Sequence, residues 1–257
     1  MGLKLTILGC GTSSGVPRIG NDWGACDPSD PKNRRTRASI LIESAGTRIL
    51  VDTSPDMRSQ LLAADVVEID AILWTHDHAD HSHGIDDTRQ LFHHRRIPVP
   101  GYARRQPLDL LKRRFAYVFE GREGYPSTVE AHVLPDELTI GDIRVRCVDQ
   151  PHGPIFSTGF RFEHGGVSIS YSTDFHLVTD AMTSLFAGTD IWVADVLRDR
   201  PHPTHAHLAL TLEATDNIKP GRTILTHMDQ SLDYATLSAR LPAGVEPAYD
   251  GMTVQLA

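Results

Sequence analysis

The sequence predicts an α/β fold (α+β) with one domain over residues 1–257, in which two β-sheets face each other and helices lie outside. Three observations support it. Short apolar runs of strand length alternate with turn residues, helical segments fall between these runs in both halves, and no linker, repeat or low-complexity stretch separates the halves. Hydrophobic residues make up 40% of the chain and charged residues 23%, the balance of a globular protein with a buried core.

The first half begins with strands and becomes helical later. We predict strands at 3–9, 38–44, 47–52 and 69–74, because each is a short apolar run bounded by turn or polar residues. Ala45 and Gly46 between the second and third runs indicate a hairpin. Ser54 and Pro55 open a helix over 54–64. Residues 86–120 have a mixed pattern in which one helix is predicted, over 107–119.

The second half repeats this order. Predicted strands cover 137–142, 143–149, 157–164, 167–173, 190–197, 223–226 and 252–256, and predicted helices cover 177–186, 208–218 and 233–241. Pro220 and Gly221 end the second of these helices.

The heptapeptide THDHADH at 75–81 follows directly on the buried strand 69–74. Its three histidines and two aspartates are metal-capable groups, and this spacing is far more specific than a solvated polar loop requires. His76 and His78 are two residues apart, so on an extended loop they project to the same side. Asp80 and His81 come next, where a helix is expected to begin.

Three further metal-capable residues also follow apolar strands, namely His152, Asp174 and His227. If these strands are neighbours, their C-terminal ends share one edge, where sites in α/β folds usually lie. We expect one ion on His76, His78 and His152 and a second on Asp80, His81 and His227, with Asp174 bridging both. Mixed nitrogen and oxygen ligands suit two divalent ions, either Zn or Mn, with Fe also possible.

At these residues the chain resembles the metallo-β-lactamase fold superfamily, whose HxHxDH motif corresponds to His76, His78, Asp80 and His81. The segments at 8–17, 30–39, 50–58, 84–89, 225–229 and 241–252 resemble the branch of the phosphoribosyl 1,2-cyclic phosphate phosphodiesterases. The resemblance covers essentially the whole chain. It implies a four-layer αββα sandwich, a dinuclear site, and hydrolysis of a small cyclic or nucleotide-like phosphodiester by a metal-activated hydroxide. The protein would then be a metal-dependent hydrolase of the phosphodiesterase class.

One stretch departs from this branch. Its members often hold a separate structural zinc through a CxCxxC segment and a histidine three residues after the last active-site histidine. Here residues 21–26 read NDWGAC and the later position is Gln230, so only Cys26 remains of four ligands. We predict that no zinc binds there, that Cys26 is a small packed residue, and that Trp23 fills the space.

A phosphodiester hydrolase also needs a proton donor for the leaving alkoxide. His205 precedes His227 by 22 residues, a spacing that matches the family's histidine of this role, while His207 is the rival and both could be surface residues at a helix entry. Asp80 is expected to orient the nucleophile as well as to bind metal. Asp52, after the third strand, is expected to accept a hydrogen bond from the metal histidines and fix their tautomers.

Three arginines and one histidine are candidate contacts for the substrate. Arg34, Arg35 and Arg37 could bind a substrate phosphate, and so could His207, although a solvated basic loop fits the three arginines equally well. The pair Arg104 and Arg105 and the run Lys112 to Arg114 read as a solvated helix face.

Three other functions remain open. A transfer RNA 3′-processing endonuclease shares the metal motif, but the net charge of −8 and the lack of a long basic insertion argue against an RNA partner. A metal-bound nucleotide binder without turnover is a second alternative, and hydrolysis of a thioester or lactam is a third.

Composition also bears on the cellular location of the protein and on its partners. No apolar run approaches the roughly 18 residues of a membrane span, and the N-terminal apolar patch is too short for a signal peptide. Three scattered cysteines do not form a disulfide framework. We therefore expect a cytoplasmic protein that acts on a small phosphodiester or nucleotide, has no membrane or stable nucleic-acid partner, and could form a homodimer.

Overall fold

The computed structural model describes residues 2–257 and contains two seven-stranded sheets. The first sheet comprises β1 (Lys4–Gly9), β2 (Ser39–Glu43), β3 (Arg48–Val51), β4 (Ala71–Leu73), β5 (Val99–Ala103), β6 (Val129–Val133) and β14 (Thr253–Gln255), in the order β14-β1-β2-β3-β4-β5-β6. The second comprises β7 (Glu137–Ile140), β8 (Ile143–His152), β9 (Ile155–His164), β10 (Val167–Ser172), β11 (Ile191–Asp195), β12 (Arg222–Thr226) and β13 (Val245–Pro247), in the order β13-β12-β11-β10-β9-β8-β7.

Eight helices accompany the sheets in the described part of the chain. They are α1 (Met57–Ala63), α2 (Ala79–Ser82), α3 (Thr88–Arg95), α4 (Arg105–Arg114), α5 (Ala116–Glu120), α6 (Asp180–Phe186), α7 (Leu208–Ile218) and α8 (Tyr234–Arg240). The longest, α7, has 11 residues, and no helix within residues 2–257 is long and apolar enough to cross a membrane.

The alternation of side chains along each strand separates three apolar layers. In β2, for example, Ile40 and Ile42 point into the core between the two sheets, whereas Leu41 points to the opposite face. That outer face packs against helices of the first half, including Leu108 and Leu111 of α4. The second sheet has an equivalent outer layer beneath α6 and α7. The predicted fold class, an αββα sandwich, is confirmed.

The elements between residues 86 and 133 differ from the sequence prediction. The predicted helix 107–119 is two helices, because Phe115 has φ −122° and ψ 41° and leaves the helical region between α4 and α5. β5, β6 and α3 were not predicted. In β5, Pro100 and Gly101 are residues that usually interrupt strands, and here Gly101 leaves room for Trp74, whose ring lies 2.6 Å from where a Cβ would stand.

The sheet topology brings several strand ends to one edge. β10, β11 and β12 are parallel neighbours, and β8 runs in the same direction as β10 because both are antiparallel to β9. β4 ends beside them in the other sheet, where the Thr158 N–H donates to the carbonyl of Thr75 at 2.9 Å. The cleft between the two sheets therefore receives the last residues of β8 and β11 and the residues that follow β4, β10 and β12.

Candidate active site

Seven residues singled out from the sequence meet at this cleft. Among these seven, three groups have ligand atoms within 4.8 Å of one another: His76 with His78 and His152, His76 with His81 and Asp174, and Asp80 with His81 and His227. These groups overlap, so they form one cluster. The predicted convergence is therefore present in the structure.

The first group consists of three imidazoles. The ring of His76 lies 4.5 Å from that of His78 and 5.1 Å from that of His152, measured between centroids. Nδ1 of His76 lies 2.9 Å from Oγ1 of Thr75, and Nδ1 of His152 lies 2.8 Å from the carbonyl oxygen of Thr204. Because these contacts occupy Nδ1, His76 and His152 present Nε2 to the cluster.

The second group adds a carboxylate. Oδ2 of Asp80 lies 3.4 Å from Nε2 of His81 and 3.5 Å from Nε2 of His227. The rings of His81 and His227 are stacked, with centroids 5.5 Å apart. Asp80 is the most exposed carboxylate of the cluster, with 12% of its side-chain surface accessible.

Asp174 lies between the two groups. Its Oδ1 is 3.6 Å from Nε2 of His152 and 3.9 Å from Nε2 of His76, whereas its Oδ2 is 3.1 Å from Nε2 of His81 and 3.5 Å from Nε2 of His227. One oxygen thus faces each group. This is the arrangement expected of a carboxylate that bridges two cations.

The chain turns sharply to present these groups. Asp174 and His227, which follow the ends of β10 and β12, have φ angles of 57° and 61°, and Asp52 after β3 has φ 65°. A non-glycine residue in the left-handed region is uncommon and costs of the order of 1–3 kcal/mol. Such strain is concentrated at functional sites, where the surrounding structure holds it.

The residues present fit divalent cations. Nε2 of His76, His81 and His227 is buried and makes no hydrogen bond of good geometry, although the three atoms lie 3.1–3.9 Å from the carboxylate of Asp174. Leaving one such buried polar atom unsatisfied costs about 1–3 kcal/mol. Three of them aimed at one carboxylate are best explained by a ligand that accepts lone pairs, and nitrogen with oxygen donors is a set that Zn, Mn and Fe accept.

The titration behaviour of the cluster agrees with this chemistry. Burial lowers the pKa of His76 well below its ordinary value and also lowers that of His152, which keeps both as neutral ligands. For His227 burial acts in the same sense, but the carboxylates of Asp174, Asp80 and Asp195 outweigh it and raise the pKa to about 9. Cations and protons therefore compete for the second group.

Asp52 lies directly behind the cluster and is fully buried. Its Oδ2 lies 2.7 Å from Nδ1 of His81, and its Oδ1 accepts the backbone N–H of Thr75 at 2.8 Å. One carboxylate thus holds the ring of His81 and the start of the ligand segment. This is the place that the sequence suggested for Asp52.

His205 also reaches the cluster. Its ring stacks on His227 with centroids 4.9 Å apart, and its Nδ1 lies 3.1 Å from Oδ2 of Asp195 and 3.5 Å from Oδ1 of Asp174. Asp195, the last residue of β11, was not among the predicted site residues, although it ends an apolar strand much as Asp174 and His227 follow theirs. His207 precedes α7 and makes no ion pair, ring contact or side-chain hydrogen bond among the described residues.

The arginines proposed for substrate binding lie elsewhere. Arg35 is 1% exposed, and its guanidinium donates to the carbonyl oxygens of Asp229 at 3.0 Å and Leu232 at 2.5 Å, so its assignment as a substrate ligand is wrong. Arg37 pairs with Asp56 at 2.9 Å, and exposed Arg34 lies over the ring of Trp23 at 5.1 Å. Neither contacts the cluster.

The segment around Cys26 is also packed differently from the expectation. Cys26 is buried, as predicted, with Sγ 3.5 Å from the carbonyl oxygens of Gln230 and Leu232. Trp23 does not fill the space beside it, because its indole lies half-exposed beneath Arg34. The guanidinium of Arg35 approaches Sγ instead, at 4.0 Å. That no zinc binds here stays a prediction.

The chain is similar to proteins of a known family. Residues 47–228 match the family described as "Beta-lactamase superfamily domain". A crystal structure of a diphosphatase from the PhnP family is similar with a TM-score of 0.91 and 37% identity, over 99% of this chain and 97% of that one.

Two curated relatives are similar over part of their length. An octanoyltransferase of Porphyromonas gingivalis is 31% identical over 97% of this chain and 51% of its own length. A ribonuclease Z of Methanopyrus kandleri is 32% identical over 48% of this chain and 43% of its own. The chain thus spans about half the length of these curated relatives. By its family match, its sandwich and its HxHxDH cluster, the chain belongs to the metallo-β-lactamase superfamily, in the branch that includes the PhnP family.

Proposed function

We propose that this chain is a metal-dependent hydrolase that cleaves a small phosphodiester, cyclic or nucleotide-like, at a site that holds two divalent cations, either Zn or Mn. The observation that carries the proposal is the position of Asp174, whose two oxygens face different groups of imidazoles. The similarity to a PhnP-family diphosphatase supports phosphorus as the reacting atom.

Bound cations would lower the pKa of a water and neutralise charge on the phosphate. The protein supplies the remaining parts. His76, His78 and His152 hold one side of the cleft, and Asp80, His81 and His227 hold the other. Asp80 is exposed enough to accept a hydrogen bond from the attacking water and orient it.

His205 is placed to donate a proton to the leaving alkoxide. Asp195 faces its Nδ1 at 3.1 Å, so Nε2 is left for the substrate. The side chain is 14% exposed, whereas that of Asp195 is completely buried. A buried carboxylate that orients a partly accessible imidazole is the usual arrangement of a histidine acid or base.

Two rival functions are separated by their substrates. The relationship to a ribonuclease Z favours RNA cleavage, while the charge of −8 disfavours a broad nucleic-acid surface. The match to an octanoyltransferase covers half of that relative and does not say which half transfers the acyl group. A phosphodiester, precursor transfer RNA and a thioester should therefore be tested side by side.

The experiment begins with protein stripped of metal by a chelator and reloaded with Zn²⁺ or Mn²⁺. Bis(p-nitrophenyl) phosphate and a ribose 1,2-cyclic phosphate are then assayed beside precursor transfer RNA and an octanoyl thioester. We expect turnover of the phosphodiesters only after reloading. Full metal occupancy without hydrolysis of any phosphodiester would refute the proposal and favour a metal-bound nucleotide binder.

A further inference from the structure

Asp77 lies between the two ligands His76 and His78, and the metal cluster makes no use of it. Its side chain is nearly buried, with 10% of its surface accessible. Its one ion pair within residues 2–257 is with Arg114, whose Nη2 lies 2.7 Å from Oδ2. The same guanidinium also donates from Nη1 to the main-chain carbonyl of Asp77. Arg114 thus holds both the side chain and the peptide of this residue.

Arg114 is the last residue of α4, a helix that packs against the first sheet. Leu108 and Leu111 of this helix are buried in the same apolar layer as Trp74, the residue just before the ligand segment. Phe115 follows Arg114, and its ring meets that of His83 edge-on with centroids 5.4 Å apart. His83 directly follows α2, which carries Asp80 and His81. The end of α4 therefore contacts the ligand segment at two places, Asp77 and His83.

The three neighbouring cations of α4 are not equivalent. Lys112 and Arg113 are exposed and make no ion pair or side-chain hydrogen bond within residues 2–257. They fit the solvated helix face expected from the sequence. Arg114 has 43% of its side-chain surface exposed, yet it is the one of the three that reaches the HxHxDH motif.

We propose that Arg114 is a positioning residue for the metal ligands His76 and His78, and that it acts through Asp77. The planar guanidinium offers two parallel donors, so it can fix the carboxylate and the carbonyl of one residue together. The orientation of that peptide sets the direction of the imidazoles on either side. Lysine carries a single ammonium and cannot hold both acceptors in the same geometry. The inference rests on the metal centre of the proposed function, but not on its substrate.

The test measures metal binding in the absence of substrate. Full-length Arg114→Met and Arg114→Lys are stripped of metal, and their Zn²⁺ affinity is measured by competition with a chromophoric chelator. Arg113→Met is the matched control, because it removes the adjacent exposed arginine of the same helix. Direct partners of metal ligands are worth 10–100-fold in metal affinity, and Arg114 acts one contact further out, so the lower end of this range applies. We expect a loss of this size for Arg114→Met, a smaller loss for Arg114→Lys, and a change of less than about twofold for the control.

Thermal unfolding distinguishes positioning from simple stabilisation. If Arg114 positions the ligands, Arg114→Met should leave the Tm of the metal-free protein near that of the wild type and reduce the rise in Tm on adding Zn²⁺. Equal losses of Tm with and without metal, together with unchanged Zn²⁺ affinity, would overturn the inference. So would a Zn²⁺ affinity of Arg114→Met equal to that of Arg113→Met.

A second pair of variants covers the case in which Arg114→Met does not fold. Asp77→Asn keeps the shape and the main-chain acceptor but removes the ion pair. We expect this single variant to lose less Zn²⁺ affinity than the double variant that combines Arg114→Lys with Asp77→Asn. If the loss of Zn²⁺ affinity in the double variant equals the sum of the losses in the two single variants, Arg114 does not act through Asp77. Wild-type protein that binds Zn²⁺ but cleaves no phosphodiester would refute the proposed function alone, whereas unaltered binding in the Arg114 variants would refute this inference alone.

Discussion

Oδ2 of Asp174 lies 3.1 Å from Nε2 of His81, and this contact marks the centre of the candidate site. Oδ1 of the same carboxylate points to the other imidazole group, 3.6 Å from Nε2 of His152. The side chain is 2% exposed, and its Oδ2 also accepts a hydrogen bond from Oγ1 of Thr173 at 2.7 Å, which holds the carboxylate in place. Its two oxygens thus join two ligand sets that come from both halves of the chain.

Replacing Asp174 by alanine should lower the metal content below two ions per chain, because neither group then has its shared oxygen ligand. Metal content after gel filtration, measured by mass spectrometry, checks this. Asp216→Ala, an exposed residue of α7, is the control and should keep the wild-type content. Two tightly held ions in Asp174→Ala would show that Asp174 does not bridge.

His205→Ala should lower kcat by about 10²–10⁴-fold on a diester with an alkoxide leaving group, the usual contribution of a general acid. The loss should be much smaller on bis(p-nitrophenyl) phosphate, because nitrophenolate departs without a proton. Parallel kinetics on the two substrates, with metal content measured in each sample, test this.

His207→Ala serves as the control for His205, since His207 lies two residues away and makes no side-chain contact with the cluster. It should retain kcat on both substrates. Equal losses in the two variants, or an equal loss of His205→Ala on both substrates, would remove His205 from the role of acid.

Asp52→Asn should weaken metal binding by about 10–100-fold, as is typical when the partner of a ligating histidine is lost. The amide still accepts from the Thr75 N–H, but its NH₂ group cannot substitute for the carboxylate at Nδ1 of His81. Zn²⁺ affinity by chelator competition measures the effect. A wild-type affinity would mean that the ring of His81 needs no support from Asp52.

Asp233 provides a prediction about pH. It caps α8, and although burial opposes ionisation, the N–H groups of Thr236 and Asp27 and the amide of Asn33 lower its pKa to about 2. The pKa of an aspartate in the unfolded chain is about 3.9. Because the folded pKa is lower, the stabilisation is complete above about pH 4 and is lost as the pH falls toward 2.

Asp233→Ala should therefore lower the free energy of unfolding by about 1 kcal/mol at pH 6. The difference from the wild type should shrink at pH 3. Urea unfolding of both proteins at the two pH values measures it, and a difference that does not depend on pH would contradict a role of the ionised carboxylate.

Most of the strands and the metal-capable residues were predictable from the sequence, because both follow local patterns, whereas β5, β6 and β13 were not predicted. The alternation in β2 and the spacing of His76, His78, Asp80 and His81 need no knowledge of distant contacts. The rule that polar residues follow buried strands also selected His152, Asp174 and His227. The rule did not select Asp195, because the predicted strand 190–197 runs two residues past it, whereas β11 ends at Asp195 in the structure.

The sequence did not predict some short elements because their structure depends on contacts with distant residues. β5 carries Pro100 and Gly101, which contradict strand propensity, and only its neighbours β4 and β6 make it a strand. The predicted helix 107–119 is interrupted at Phe115, whose ring packs against His83, a contact that local periodicity does not record.

The sequence by itself therefore determined two facing sheets with helices outside and the chemistry of the ligands, since periodicity and motif spacing are local properties. Its resemblance to a known superfamily supplied the family and the αββα layers. Tertiary structure alone decided the uses of three arginine and aspartate positions. It buried Arg35 against the carbonyls of Asp229 and Leu232, placed Asp195 behind His205, and chose Arg114 rather than Arg113 to hold Asp77. A charged side chain finds its partner through contacts between residues far apart in the chain, and no local pattern records them.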